Sequence, residues 1–284
     1  MEANVREKYS ITTVGSQLAT PNKQIHLTKI INQYISPRAA TITFAPIAVA
    51  LEVGIGQIAR LKGVPHLREG DVPPQGGKPG WAAPPDPRMG PWLRLLKKIA
   101  HSHNLVPEFE ITLEATHHGP VTSKPTMFIE IGSTEEYWER LDAAQVVALL
   151  VWEGLGLGGG ASVGNWSSAN DKRKVLLGIG GGHYAPRHMD IVLKDGVWVA
   201  HLLSGYSLPM EDPNQTKIDT NTKDIGGTWR ESIKAAYEAT KSAFPGGEIL
   251  AHLDHKSFKS WQKNAITGFL GEQNIKIGKP NDFN

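Results

Sequence analysis

Cysteine is absent from the 284 residues. That excludes disulfides, thiolate nucleophiles and thiolate zinc ligands together, so any metal must be held by His, Asp or Glu. An excess of either charge is lacking too: 30 Lys and Arg against 28 Asp and Glu leave +2. There is no overall basic field, although a local patch can still meet a polyanion. The opening MEANVREKYSITTVGSQLATPNKQ has no apolar core of the kind a secretory signal needs. The most hydrophobic stretch, residues 39–59, is broken by Pro46, Glu52 and Gln57, which argues for a buried segment over a membrane span. The simplest address is the cytoplasm, with the nucleus also open, and no obligate protein partner is evident.

What is present describes a globular chain able to bury a sizeable core, with 40% hydrophobic and 20% charged residues. Residues 1–62 show little periodicity and form a segment to which the pattern assigns no structure. Residues 63–91 are dense in proline and glycine and read as a long ordered loop. From Pro91 the pattern becomes regular. PWLRLLKKIAHSHN predicts a helix, FEITLEAT (109–116) a half-buried strand by its alternation, and TMFIEIG (126–132) a second strand. Ser133, with Glu136 three residues on, predicts a capped helix through EEYWERLDAAQVVALLVWEGL. KVLLGIG, VWVAHLLSG and EILAHLDH read as strands, separated by a short helix at PRHMDIVLKDG and a longer one at residues 228–244, with a last helix in FKSWQKNAITGFLGEQN. The alternation predicts one α/β domain over residues 63–284, a mixed central sheet with helices on both faces.

In open α/β sheets the ligand crevice lies at the carboxyl ends of the strands. Three predicted strands end there in histidines. FEITLEAT runs into His117 and His118, with Glu114 just upstream. KVLLGIG runs into GGHYAPRH, and EILAHLDH carries His252, Asp254 and His255. Glu114 beside His118 suits a metal site or an oriented general base. Gly180, Gly181 and Gly182 leave a bare backbone whose N–H groups could bind phosphate or an oxyanion, directly before His183. Arg187 could hold a phosphate or carboxylate with two hydrogen bonds. Lys256, Lys259 and Lys263 fall beside Trp261 in what reads as one helix, a candidate phosphate-contacting face. No serine is read in a Gly-x-Ser-x-Gly elbow, so the economical nucleophile is a water activated by a metal or by His. A nucleoside phosphorylase-like enzyme with phosphate on the glycine turn, and a tRNA-binding protein without turnover, are the rival readings.

EATHHGP (114–120), FIEIGSTEEYW (128–138) and GIGGGHYAPRH (178–188), in that order, resemble the archaeal and plant D-aminoacyl-tRNA deacylases of the second type. LLSGYSLPMED, FPGGEILAHLDHKSFK, GKPNDF and GDVPPQGGKPGWAA resemble the plant branch. The resemblance runs from about Gly63 to the C-terminus. It implies a fold related to nucleoside phosphorylases and peptidyl-tRNA hydrolases, and hydrolysis of the ester of D-aminoacyl-tRNA, including aldehyde-modified forms in plants. It also implies zinc. On this reading Glu114, His118 and His183 are catalytic, and Gly180, Gly181, Gly182, Arg187, Lys256 and Lys259 bind substrate. His117, His118, His183 and His188 are the candidate metal ligands. Residues 1–62 depart from the family pattern: Ser36-Pro37-Arg38 has no following His.

Overall fold

The computed structural model describes residues 51–52, 80–116, 123, 125, 127, 129, 131–132, 137, 140–213 and 225–284. The boundary expected after residue 62, the cap at Ser133 with Glu136, and the His117–His118 pair lie outside them. The chain divides into two compact units interleaved in sequence: the described parts of Met1–Ile58, Trp92–Thr112 and Phe128–Val163, and those of Ala59–Pro91, Leu113–Met127 and Gly164–Asn284.

In the first unit the short strand β1 (Leu51–Glu52) pairs antiparallel with β2 (Glu110–Ile111). Helix α1 spans Met89–Ser102, beginning two residues before the proline that announces it, and helix α2 spans Leu141–Gly154. Trp92 is buried, and its indole N–H donates to the Val163 carbonyl at 3.0 Å. FEITLEAT is strand only at Glu110–Ile111. Of the predicted strand 126–132, Ile129 and Ile131 stand in single bridges.

The second unit holds the α/β layer. Strands β3 (Lys174–Ile179), β4 (Trp198–Leu203) and β5 (Glu248–Leu253) form a parallel sheet in the order β4-β3-β5. Their sequences KVLLGI, WVAHLL and EILAHL are nearly unbroken apolar runs, as strands covered on both faces require. Helix α3 (Pro186–Val192) opens with Pro186 in its first turn, where the missing N–H costs nothing. A Cβ on Gly178 would lie 3.0 Å from the His188 ring, so α3 covers the face to which Gly178 belongs. Leu177 and Ile179, of the opposite parity, face α4 (Trp229–Ala243) and α5 (Ser260–Glu272). There Trp229, Ile233 and Ala236 of α4 join Ile266, Phe269 and Leu270 of α5 in one buried cluster, with Trp229 and Phe269 edge to face at 5.5 Å. The unit is therefore the α/β layer predicted, with helices on both faces of the sheet.

A histidine in the middle of β4 needs its own account. His201 is fully buried. Its Nε2 lies 3.1 Å from the Ala83 carbonyl, and its Nδ1 lies 3.2 Å from the Thr116 hydroxyl. The carbonyl can only accept, so Nε2 carries the hydrogen and Nδ1 accepts from Thr116, which satisfies a neutral ring. Burial pushes the imidazole down to about 4, with the Ala83 carbonyl opposing the shift. Unfolded, the ring titrates near 6.5. Between these values the unfolded chain binds the extra proton, so stability is complete above about pH 6.5 and falls as pH drops toward 4. Thermal melts from pH 7.5 to 4.5 should show Tm declining through this window, and His201→Gln should flatten the decline.

Candidate active site

The three parallel strands end side by side, and each hands the chain to a turn. After β3 come Gly180, Gly181, Gly182 and His183. After β4 comes the 3₁₀ turn Gly205–Ser207, and after β5 the 3₁₀ turn His255–Ser257. Hydrogen bonds knit the turns together. Gly180 N donates to Leu203 O at 2.7 Å, Gly205 N to Gly181 O at 2.9 Å, Gly181 N to Ser257 Oγ at 2.5 Å and Asp254 N to Ile179 O at 2.8 Å. The segment carrying Glu114 is fastened to the same rim: Ala115 N donates to His183 O and Thr116 N to Leu202 O, each at 2.7 Å.

This fastening carries the Glu114 carboxylate to His183. Glu114 is 1% exposed, and its Oε1 meets His183 Nε2. On the other side of the ring, His183 Nδ1 lies 2.9 Å from the Tyr206 hydroxyl, and the two rings are stacked with centroids 6.5 Å apart. A buried carboxylate, an imidazole and a phenol thus form a line running from the interior to the surface, where Tyr206 is 57% exposed. A carboxylate behind an imidazole orients the ring and stabilises the imidazolium that forms when it takes a proton.

The remaining expected residues divide. Arg187 stands at this rim, its Nε 2.8 Å from Asp254 Oδ1, with its side chain 45% exposed. His188, five residues after His183, turns inward and is fully buried. Its Nε2 lies 3.3 Å from the Gly180 carbonyl and its Nδ1 3.1 Å from His252 Nδ1, so both ring nitrogens are engaged away from Glu114. The glycines differ from their expected use. The amides of Gly180 and Gly181 already donate within the fold, and these two residues have φ of +94° and +86°, so their first role is the turn itself. Gly182 is the exposed member of the triplet.

Lys256 and Lys259 do not share a helix. Asp254 accepts from Lys256 N at 3.1 Å and starts the 3₁₀ turn, and α5 begins only at Ser260. Both lysines are nonetheless exposed beside the turn after β5, with Lys259 Nζ 3.9 Å from Asp212. Tyr206 was not found by sequence reasoning. The rule that found His183, a look just past the end of each strand, would have found Tyr206 if applied to SGYS after β4. The spelling Gly-x-Ser-x-Gly does occur, at Gly160–Gly164, contrary to the reading that no serine stands so. It follows helix α2 and not a strand, and so lacks the elbow's context.

The donor set can be tested against zinc. A zinc site takes at least three protein ligands. Glu114 and His183 supply two, and among the described residues no three His, Asp or Glu side chains gather as a metal-binding group. The described residues therefore do not complete a zinc site.

Similarity to known proteins is extensive. The sequence model of the D-aminoacyl-tRNA deacylase family matches residues 68–278. A D-aminoacyl-tRNA deacylase of Arabidopsis thaliana is 76% identical over 221 residues, covering 78% of this chain and 70% of that protein. One from Aeropyrum pernix is 30% identical over 204 residues, 71% of this chain and 63% of the relative. The crystal structure of AF0625, a conserved protein of unknown function, superposes with a TM-score of 0.58 at 26% identity, covering 91% of this chain and 77% of that one.

Proposed function

Because this chain belongs to the D-aminoacyl-tRNA deacylase family, whose members hydrolyse an ester bond to tRNA, we propose that it cleaves the ester between a D-amino acid and the 3′-terminal ribose of tRNA. The observation that carries the chemistry is the buried Glu114 carboxylate against His183 at the strand ends. With the hydrogen on Nε2, the nitrogen that faces Glu114, the lone pair is on Nδ1. A water attacks the ester carbon, and its proton ends on His183 while Glu114 stabilises the imidazolium. As the tetrahedral intermediate collapses, the C–O bond to the ribose breaks and the proton passes to the departing 3′-oxygen. The products are a free D-amino acid and a tRNA with its 3′-hydroxyl restored.

In this reading Gly182, the exposed glycine of the turn, offers its amide to the carbonyl oxygen. Arg187 retains guanidinium donors beyond the one given to Asp254, and with exposed Lys256 and Lys259 it meets the phosphates of the acceptor end.

The test is the rate at which the purified chain deacylates D-Tyr-tRNA and L-Tyr-tRNA, with and without chelator. Rapid loss of the D-ester alone is expected; equal loss of both esters, or none by a folded chain, would reject the reading. The chelator arm tests the zinc that the resemblance implies: abolition reversed by added zinc supports it, and chelator-resistant turnover removes it. The same assay with aldehyde-modified D-aminoacyl-tRNA tests the wider substrate range.

A further inference from the structure

We propose that Tyr206 is a catalytic residue, its hydroxyl relaying the proton between the attacking water and His183. The inference rests on the deacylase reading and extends it to a residue that this reading did not use. It follows from counting lone pairs. Glu114 Oε1 meets the ring at Nε2, and an imidazole with its hydrogen on that nitrogen has a single lone pair, on Nδ1. The Tyr206 hydroxyl, at 2.9 Å, donates into that lone pair. No acceptor site remains on the imidazole for a water. The phenol oxygen has acceptor lone pairs of its own, on a residue 57% exposed at the rim.

Tyr206 is held there by its turn. Gly205 N is tied to Gly181 O at 2.9 Å, and Ser207 contributes its N and Oγ to Ser204 O at 3.1 and 2.9 Å. A phenol keeps its proton at neutral pH and so is a donor at rest.

The step balances without a further reactant. As the water oxygen bonds to the ester carbon, a water proton moves to Tyr206 Oη and the phenol's own proton moves to His183 Nδ1. On collapse the C–O bond to the ribose breaks, Nδ1 returns its proton to Tyr206 Oη, and the phenol delivers one to the 3′-oxygen. Tyr206 begins and ends neutral.

The experiment uses Tyr206→Phe in the full chain, which removes one oxygen from a half-exposed side chain and leaves the ring. With D-Tyr-tRNA, kcat should fall about 30-fold with KM nearly unchanged, less than a general base's full worth because a water can take the hydroxyl's place. The double variant with His183→Ala should be no slower than His183→Ala alone, since one pathway has been cut twice. Imidazole ¹⁵N spectra, assigned with His183→Ala, should show His183 protonated at Nε2 and its Nδ1 signal displaced by Tyr206→Phe. Unchanged kcat in Tyr206→Phe, additive losses in the double variant, or a wild-type ring protonated or metal-bound at Nδ1 would each overturn the relay. The spectra need no substrate, so a chain that fails to deacylate D-Tyr-tRNA at all sinks the deacylase reading while they still report on the Tyr206–His183 bond.

Discussion

His183→Ala is expected to lower the single-turnover rate constant for D-Tyr-tRNA by about a thousandfold, within the range general acid–base groups contribute. The variant removes the ring on which the water's proton ends and leaves Glu114 with no imidazolium to stabilise. Glu114→Gln is expected to cost about a hundredfold, because the base survives without the charge that favours its protonated form. Both variants need a melt alongside the rate. Glu114 is 1% exposed, and deleting the imidazole that this buried carboxylate meets weakens the fold. A folded His183→Ala chain within tenfold of wild type would remove His183 from the chemistry.

Gly180→Ala should be the most damaging single-methyl change at this rim, costing about 3 kcal/mol of unfolding free energy. Two costs coincide. The backbone at Gly180 has φ of +94°, and a Cβ there would lie 2.7 Å from Cε2 of the Phe258 ring and 3.2 Å from Asp254 Cβ. Phe258 is itself in the core and cannot swing away as a surface side chain could. Gly182→Ala is the matched comparison, with no positive φ and nothing within 4 Å of its Cβ. It should shift stability by no more than about 0.5 kcal/mol. Urea titrations of both variants decide the matter: equal losses would mean that the triplet is not a packed turn at its first position.

The layer of parallel strands was legible because each strand is a short apolar run bounded by turn residues, and α4 and α5 because their apolar residues recur at helical spacing. The crevice rule then placed Glu114, His183 and Arg187 at one rim. FEITLEAT misled for a physical reason. Its alternation implies one wet face, yet Thr112, Glu114 and Thr116 are as buried as Ile111, Leu113 and Ala115. Beyond Ile111 the amide of Leu113 goes to Met189 Sδ and those of Ala115 and Thr116 to His183 O and Leu202 O, which is how Glu114 reaches the imidazole. His188 misled because closeness to His183 in sequence does not say which way a short helix turns. Its turn faces Gly178, whose missing side chain makes the space. Nothing in the spelling SGYS distinguishes a tyrosine on the surface from one tied to a histidine.

The ties among the strand-end turns have a consequence for motion. Gly181 is bonded at both its amide and its carbonyl, to Ser257 and Gly205, while His183 O holds the Ala115 amide. With Thr116 N on Leu202 O, three chain segments remote in sequence are closed into a hoop and the turn after β5 is tied to one of them, so none can lift without breaking a bond that another needs. Such a rim opens all at once or not at all, with a cost nearer that of unfolding the unit than that of fraying a loop. Any opening that admits substrate would therefore move these turns together and not one by one.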